Sequence, residues 1–159
     1  LTVFSSRFEV QASSTDERGV LGIDLLKSEQ TTIMPAMVEY RIDLSSVGRD
    51  RMTWNEDTQT LEVRLPPLKI SRPNVDEAKA RVFTKGVWVT SGAQDDLRRN
   101  NAAQAERKAS LFAREPQILA MARSAGKEAI RQNLAVPLQV AGFEDAKVEV
   151  RFDGEVPKP

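Results

Sequence analysis

Neither cysteine nor histidine occurs among the 159 residues of this chain. The first absence removes disulfides, thiolate nucleophiles, iron–sulfur clusters and thiolate zinc sites. The second removes the imidazole base, the Ser-His-Asp triad and every His-ligated metal. Any catalysis is left with carboxylates, lysine, tyrosine, a Ser–Lys pair or a site completed by a bound ion. An excess of charge is missing too: 23 basic side chains face 23 acidic ones, and the pI is near 6.6. No global field draws the chain onto nucleic acid, and no long basic run does so locally. No apolar run approaches the roughly 20 residues that span a bilayer, and no signal peptide is evident. The sequence starts at Leu1 without a Met, which is compatible with a leader or anchor removed upstream and equally with simple trimming.

What is present suits one globular core: 40% of the residues are hydrophobic and 29% charged. The strongest pattern lies between Met37 and Ile70. Val38, Tyr40, Ile42 and Leu44 alternate with Glu39, Arg41 and Asp43, and Leu61, Val63 and Leu65 alternate with Glu62 and Arg64. A period of two marks strands with one dry and one wet face. Phe8, Val10 and Ala12 predict an earlier strand, and Pro35 is expected at an edge, a bulge or a strand start. Residues 21–30 fit a short strand or one helical turn. Met52-Thr53-Trp54 and Gln59 to Leu65 flank a hairpin-sized polar loop, and Pro66-Pro67 stops the second arm. Val82, Phe83, Val87, Trp88 and Val89 around Lys85-Gly86 read as a further hairpin or bulged strand.

From Ser91 the character changes. Ser91 and Gln94 fit a capping box, and Ala102, Ala105, Ala109, Leu111 and Phe112 recur at helical spacing. Leu119, Ala122, Gly126, Ala129, Ile130 and Leu134 do the same beyond Pro116, which opens a second helix or kinks one long helix. Pro137 and Gly142 are expected to end the helical region, and Val148, Val150 and Phe152 return to strand alternation. Strands, then helices, then a last strand argue for an α+β fold. The expected architecture is a largely antiparallel sheet, two helices in the C-terminal half (or one kinked helix) on one face, and a final strand returning to the sheet. Residues 1–152 are expected to form a single domain and 153–159 a flexible tail.

Candidate chemistry is thin. Glu39, Asp43, Glu62 and Asp24 are the carboxylates that a catalytic or small-ligand site would draw on, against the ordinary reading of a solvated strand face. Asn55, Glu56 and Asp57 offer oxygen ligands for a cation, but a hairpin turn explains them better. Asp16 and Glu17 beside Gly19 are equally weak, and Gly19 with Gly22 makes no dinucleotide fingerprint. Ser110 with Lys108, and Ser124 with Lys127, pair as dyads only on paper. Trp54, Trp88 and Tyr40 suit core or cross-strand packing before a stacking platform. Arg98, Arg99, Arg107 and Lys108 share their helix with Asp95, Asp96 and Glu106, which reads as a solvated face. No catalytic, cofactor-binding or metal residue is assigned, and no cofactor is expected.

The order of pieces carries a resemblance. Tyr40-Arg41-Ile42-Asp43-Leu44, the hairpin ending in Val63-Arg64-Leu65-Pro66-Pro67, the long Ala-rich helices and Gly142-Phe143 leading to Val148-Glu149-Val150-Arg151-Phe152 are similar to an uncharacterised bacterial family, domain of unknown function 4230. The resemblance covers residues 1–152 and brings no catalytic residues. It implies an extracytoplasmic domain on the periplasmic side of the bacterial inner membrane, tethered by an N-terminal helix that is absent from these residues. It also suggests that Asp43 closes the bend after its strand with a side-chain-to-backbone bond. The functional expectation is a non-enzymatic domain that binds a protein partner or itself through the Ala-rich helices. The alternative is a carboxylate-based enzyme or small-ligand-binding domain.

Overall fold

The computed structural model describes residues 1–17, 27–85 and 91–156, with backbone alone at 16–17, 27–28 and 91–94. The strands are β1 (Thr2–Glu17), β2 (Lys27–Arg41), β3 (Met52–Asn55), β4 (Thr60–Leu65), β5 (Lys69–Ile70), β6 (Asn74–Val75), β7 (Arg81–Lys85) and β8 (Lys147–Phe152). The helices are α1 (Ser91–Phe112) and α2 (Pro116–Val140). The class is α+β, with two helices in the C-terminal half and a final strand joining a sheet. Among the described residues two sheets, rather than one, carry the alternating segments: β2 lies in the first, while β3, β4 and β8 form a second. Pro66-Pro67 ends β4 at Leu65, as expected.

The chain divides into two compact units, Leu1–Ser5 with Glu39–Ser71 and Glu115–Pro159, and Ser6–Val38 with Arg72–Arg114. In the first unit, β3 and β4 form an antiparallel hairpin and β8 pairs β4 in parallel, Val150 opposite Val63. Ile42, Val63, Leu65, Ile130, Val148, Val150 and Phe152 form its core, flanked by Val3, Leu61 and Leu134. The alternation at 38–42 and 63–65 is therefore read correctly, but Leu44 turns outward in a short 3-10 turn at Leu44–Ser46. Tyr40 is buried and tilted against Phe4 at 5.5 Å between ring centres.

Gly126 sets how closely α2 lies on this core. A Cβ there would stand 3.0 Å from Ile42 Cδ1 and 3.2 Å from Phe152 Cζ. Pro116 sits in the first turn of α2, where its missing N–H has no intrahelical partner to lose. Pro137 does not end the helix; it lies within the last turn, and α2 runs on to Val140. Termination comes from Gly142 at φ +92°, with Phe143 N–H donating to Leu138 O and Gly142 N–H to Gln139 O, both 3.0 Å. That is a Schellman closure, which satisfies the last carbonyls in a conformation that glycine adopts freely.

In the second unit, β2 pairs β7 antiparallel over Glu29–Ile33 and then β6 at Ala36 and Met37. Pro35 falls between these two partners. Its carbonyl accepts from Asp76 N–H at 2.9 Å, so the donor that proline lacks faces the gap where the partner strand changes. Val10, Met34, Ala36, Ala105 and Ala109 form the core of this unit. The buried stripe of α1 is Leu97, Asn101, Ala105 and Ala109, every fourth residue, and Ala113 just past its end is buried too. Leu111 and Phe112, expected on that stripe, are exposed instead, because spacing of three and four also fits a neighbouring face. Asn101 is fully buried and donates through Nδ2 to Thr32 Oγ1 at 2.9 Å and Gln30 Oε1 at 3.2 Å. The capping box at Ser91 and Gln94 and the alternatives for residues 21–26 lie outside the described side chains and residues.

Candidate functional site

Among the described residues the sequence-expected carboxylates Glu39, Asp43 and Glu62 each pair with a different cation. Glu39 accepts from Arg41 Nε at 3.0 Å on the wet face of β2. Asp43 is held by Lys69 Nζ at 2.7 Å, and Glu62 stands 3.6 Å from Arg151. Asp24 lies outside the described residues. Asp43 also takes Ser45 Oγ at 2.6 Å and Ser45 N–H at 3.2 Å, the side-chain-to-backbone closure expected for this bend. The Lys69 hydrogen bond, then the Ser45 hydroxyl, lower its carboxyl from the ordinary 3.8 to about 2. Such a group stays charged at neutral pH, the opposite of the raised carboxyl that general-acid work requires.

The other candidates resolve into local structure. Asn55 Oδ1 accepts from Thr58 N–H at 3.1 Å, so the Asn55–Asp57 segment is the hairpin turn. Among the described residues no three acidic side chains come together as a cation site. Lys108 Nζ donates to Gln11 O at 2.7 Å, and Lys127 Nζ pairs with Glu155 at 2.7 Å, so neither lysine is directed at its neighbouring serine. Trp54 packs edge-on against Phe143 at 5.2 Å, while Tyr40 is in the core; Trp88 and the Gly19–Gly22 segment lie outside the described residues. On α1, Arg99 pairs with Asp96 and Glu106 with Arg72. Asp16 and Glu17 are described in backbone only.

What sequence reasoning missed is a groove in the first unit, about 730 Å³, along the outer side of β8. Its walls include Lys127, Arg131 and Ala135 from α2, residues 147–151 of β8, and Glu155 with Val156 beyond it. Among the described residues β8 is an edge of the three-stranded sheet, with β4 on one side only. Lys147 N–H donates to Gln59 O and Asp153 N–H to Leu65 O, both 2.9 Å, which fixes the odd-numbered residues as those facing β4. By alternation Val148, Val150 and Phe152 turn their backbone N–H and C=O away from β4, those of Val148 and Val150 toward the groove and the Phe152 C=O onto Glu155 N–H at 3.1 Å.

Two side chains cover the ends of that edge. Arg131 Nε donates to Val148 O at 3.3 Å, and Glu155 Oε2 accepts from Phe152 N–H at 3.0 Å. Burial raises the Glu155 carboxyl, but the Lys127 ammonium and the Phe152 N–H outweigh it, so the net shift is downward. Arg131 also pairs with Glu128. Between these covers the N–H and C=O of Val150 face the groove. Arg151 Nε is buried there without a hydrogen-bond partner among the described residues. The groove thus offers strand-pairing backbone groups flanked by charge, which suits an extended polypeptide. Alternation at 148–152 is legible in sequence, but edge status depends on strand order, which is not.

Among the described residues no helix is long and apolar enough to cross a membrane. Neither the curated proteins nor the solved structures contain a significant match to this chain. A family profile does match, over residues 1–150, and the chain belongs to that family, described as protein of unknown function (DUF4230).

Proposed function

We propose that this chain is a non-enzymatic binding and self-association domain, held on the extracytoplasmic side of a bacterial inner membrane by an anchor outside residues 1–159. The observation that carries the binding reading is the open edge of β8 beside a groove of about 730 Å³. An uncovered strand edge is a template for another strand, and proteins that leave one accessible use it or shield it. The dispersal of Glu39, Asp43 and Glu62 into separate surface ion pairs favours binding over a carboxylate mechanism. Location rests on the family resemblance.

Ala105, Ala109, Ala113 and Ala122 are buried within the chain, which favours a surface other than these alanines for self-association. Light scattering of the purified chain and crosslinking of the full-length protein in its native membrane test the binding reading together. The expected result is a mass above the monomer or a captured protein partner. A strict monomer that captures nothing contradicts it. Protease added outside the inner membrane is expected to cleave the full-length protein within this domain; full protection there contradicts the location.

A further inference from the structure

The segment Lys147-Val148-Glu149-Val150-Arg151-Phe152-Asp153 is a charge palindrome about Val150. Laid antiparallel on a second copy with Val150 opposite Val150, it sets Glu149 against Arg151 and Lys147 against Asp153. Val148 meets Phe152 on the other face of the same ribbon. The pairing is symmetric, so each contact occurs twice, as a two-fold interface demands.

The structure presents this segment in the form the pairing needs. Val148, Val150 and Phe152 turn their backbone groups away from β4, and these are the residues that exchange hydrogen bonds when the centre lies at Val150. The same three side chains are buried, while Lys147, Glu149 and Asp153 are exposed and Arg151 is half-buried. Lys147 and Glu149 make no ion pair among the described residues, which leaves them open to a partner's charges. The second unit handles its own edge differently. There the Gln104 amide bonds both Ser13 N–H and Ser13 O, at 3.3 and 3.0 Å, and Lys108 caps Gln11 O, so side chains of α1 occupy the backbone of β1. Among the described residues the β8 edge is occupied at its two ends, by Arg131 at Val148 O and by Glu155 at both backbone groups of Phe152, while no partner holds the centre.

We propose that two copies of this chain associate through β8, antiparallel about a two-fold axis at Val150, and join their three-stranded sheets into one. The inference rests on the reading of the chain as a self-association domain and names its surface. On pairing, the partner's Phe152 N–H replaces Arg131 at Val148 O, and the partner's Val148 O replaces Glu155 at Phe152 N–H. Arg131 keeps Glu128 and Glu155 keeps Lys127, so neither displaced side chain is stranded.

Sedimentation equilibrium of charge-swapped chains tests this. Glu149→Arg and Arg151→Glu each place like charges at both central pairs, and each raises the dimer dissociation constant by about tenfold. Mixing the two variants restores opposite charges across the seam, and so does the double variant; both recover the wild-type constant. Lys147→Glu, an exposed change, gives a loss in the same direction should Arg151→Glu fail to fold. A dimer that ignores every one of these changes overturns the β8 interface while leaving self-association standing. A monomer at all concentrations also overturns it, and crosslinking to another protein then decides whether the broader binding reading survives.

Discussion

Asp43 shows how a single side chain can be both legible and decisive. Its place after an alternating strand, just before Ser45-Ser46, marks a bend, and its carboxylate closes that bend through Ser45. The partner Lys69 is 26 residues away and was not legible. Because the folded carboxyl is lowered to about 2 from 3.8, its contribution is present above about pH 4 and is lost as pH falls through 2. Thermal unfolding measured from pH 5 to 2 is expected to show a shallower acid loss in Asp43→Asn than in the wild type, and less difference in high salt. Equal acid slopes would remove the Lys69–Asp43 pair from the account. Asn101 makes the converse case. A polar residue on an Ala-rich helix looks solvent-facing, yet it is buried on Gln30 and Thr32. Asn101→Ala leaves both partners buried and unpaired, and a loss of about 1–3 kcal/mol in denaturant unfolding is expected.

At the scale of elements, helices and strands were readable where periodicity was sustained. The break at Pro116, the dry faces of β2, β4 and β8, and the stripe Ala122, Gly126, Ile130 on α2 all follow from spacing. The α1 face does not follow from spacing because alanine is nearly neutral in pattern, and packing on Val10, Met34 and Ala36 decides which alanines are inside. Pro137 is a weak stop, since a proline in the last turn costs one hydrogen bond and Gly142 supplies the true closure. Gly126 tests the α2 packing. Gly126→Leu is expected to lose about 1–3 kcal/mol in denaturant melts, because the added side chain meets Ile42 and Phe152, whose side chains must shift to admit it. Unchanged stability would mean that α2 does not seat closely on the core.

For the whole molecule, the class was in the sequence and the sheet count was not. Alternation fixes which face of a strand is dry but carries no information on which strand lies beside it. Hence β8 was expected in a sheet with the other strands, while its position as an open edge emerged only from strand order. The groove was missed for the same reason: Lys127, Arg131, Arg151 and Glu155 converge through tertiary structure, far from any local motif. The charge palindrome about Val150 lies in the sequence but acquires meaning only from the strand order, which leaves β8 at the edge among the described residues.

The pairing of β8 with its own copy is the claim on which the functional account turns, and the absence of cysteine makes it directly measurable. Glu149→Cys and Arg151→Cys chains carry one thiol each. In the proposed register residues 149 and 151 of opposite copies are direct neighbours, about 4.5 Å apart at Cα and within disulfide reach. Like residues lie on the diagonal at about 7–8 Å, where bridging is disfavoured. Mild oxidation of the mixed chains is expected to yield a covalent dimer, with little from either variant alone. No crosslink in the mixture, or equal crosslinking in each variant by itself, would contradict the account.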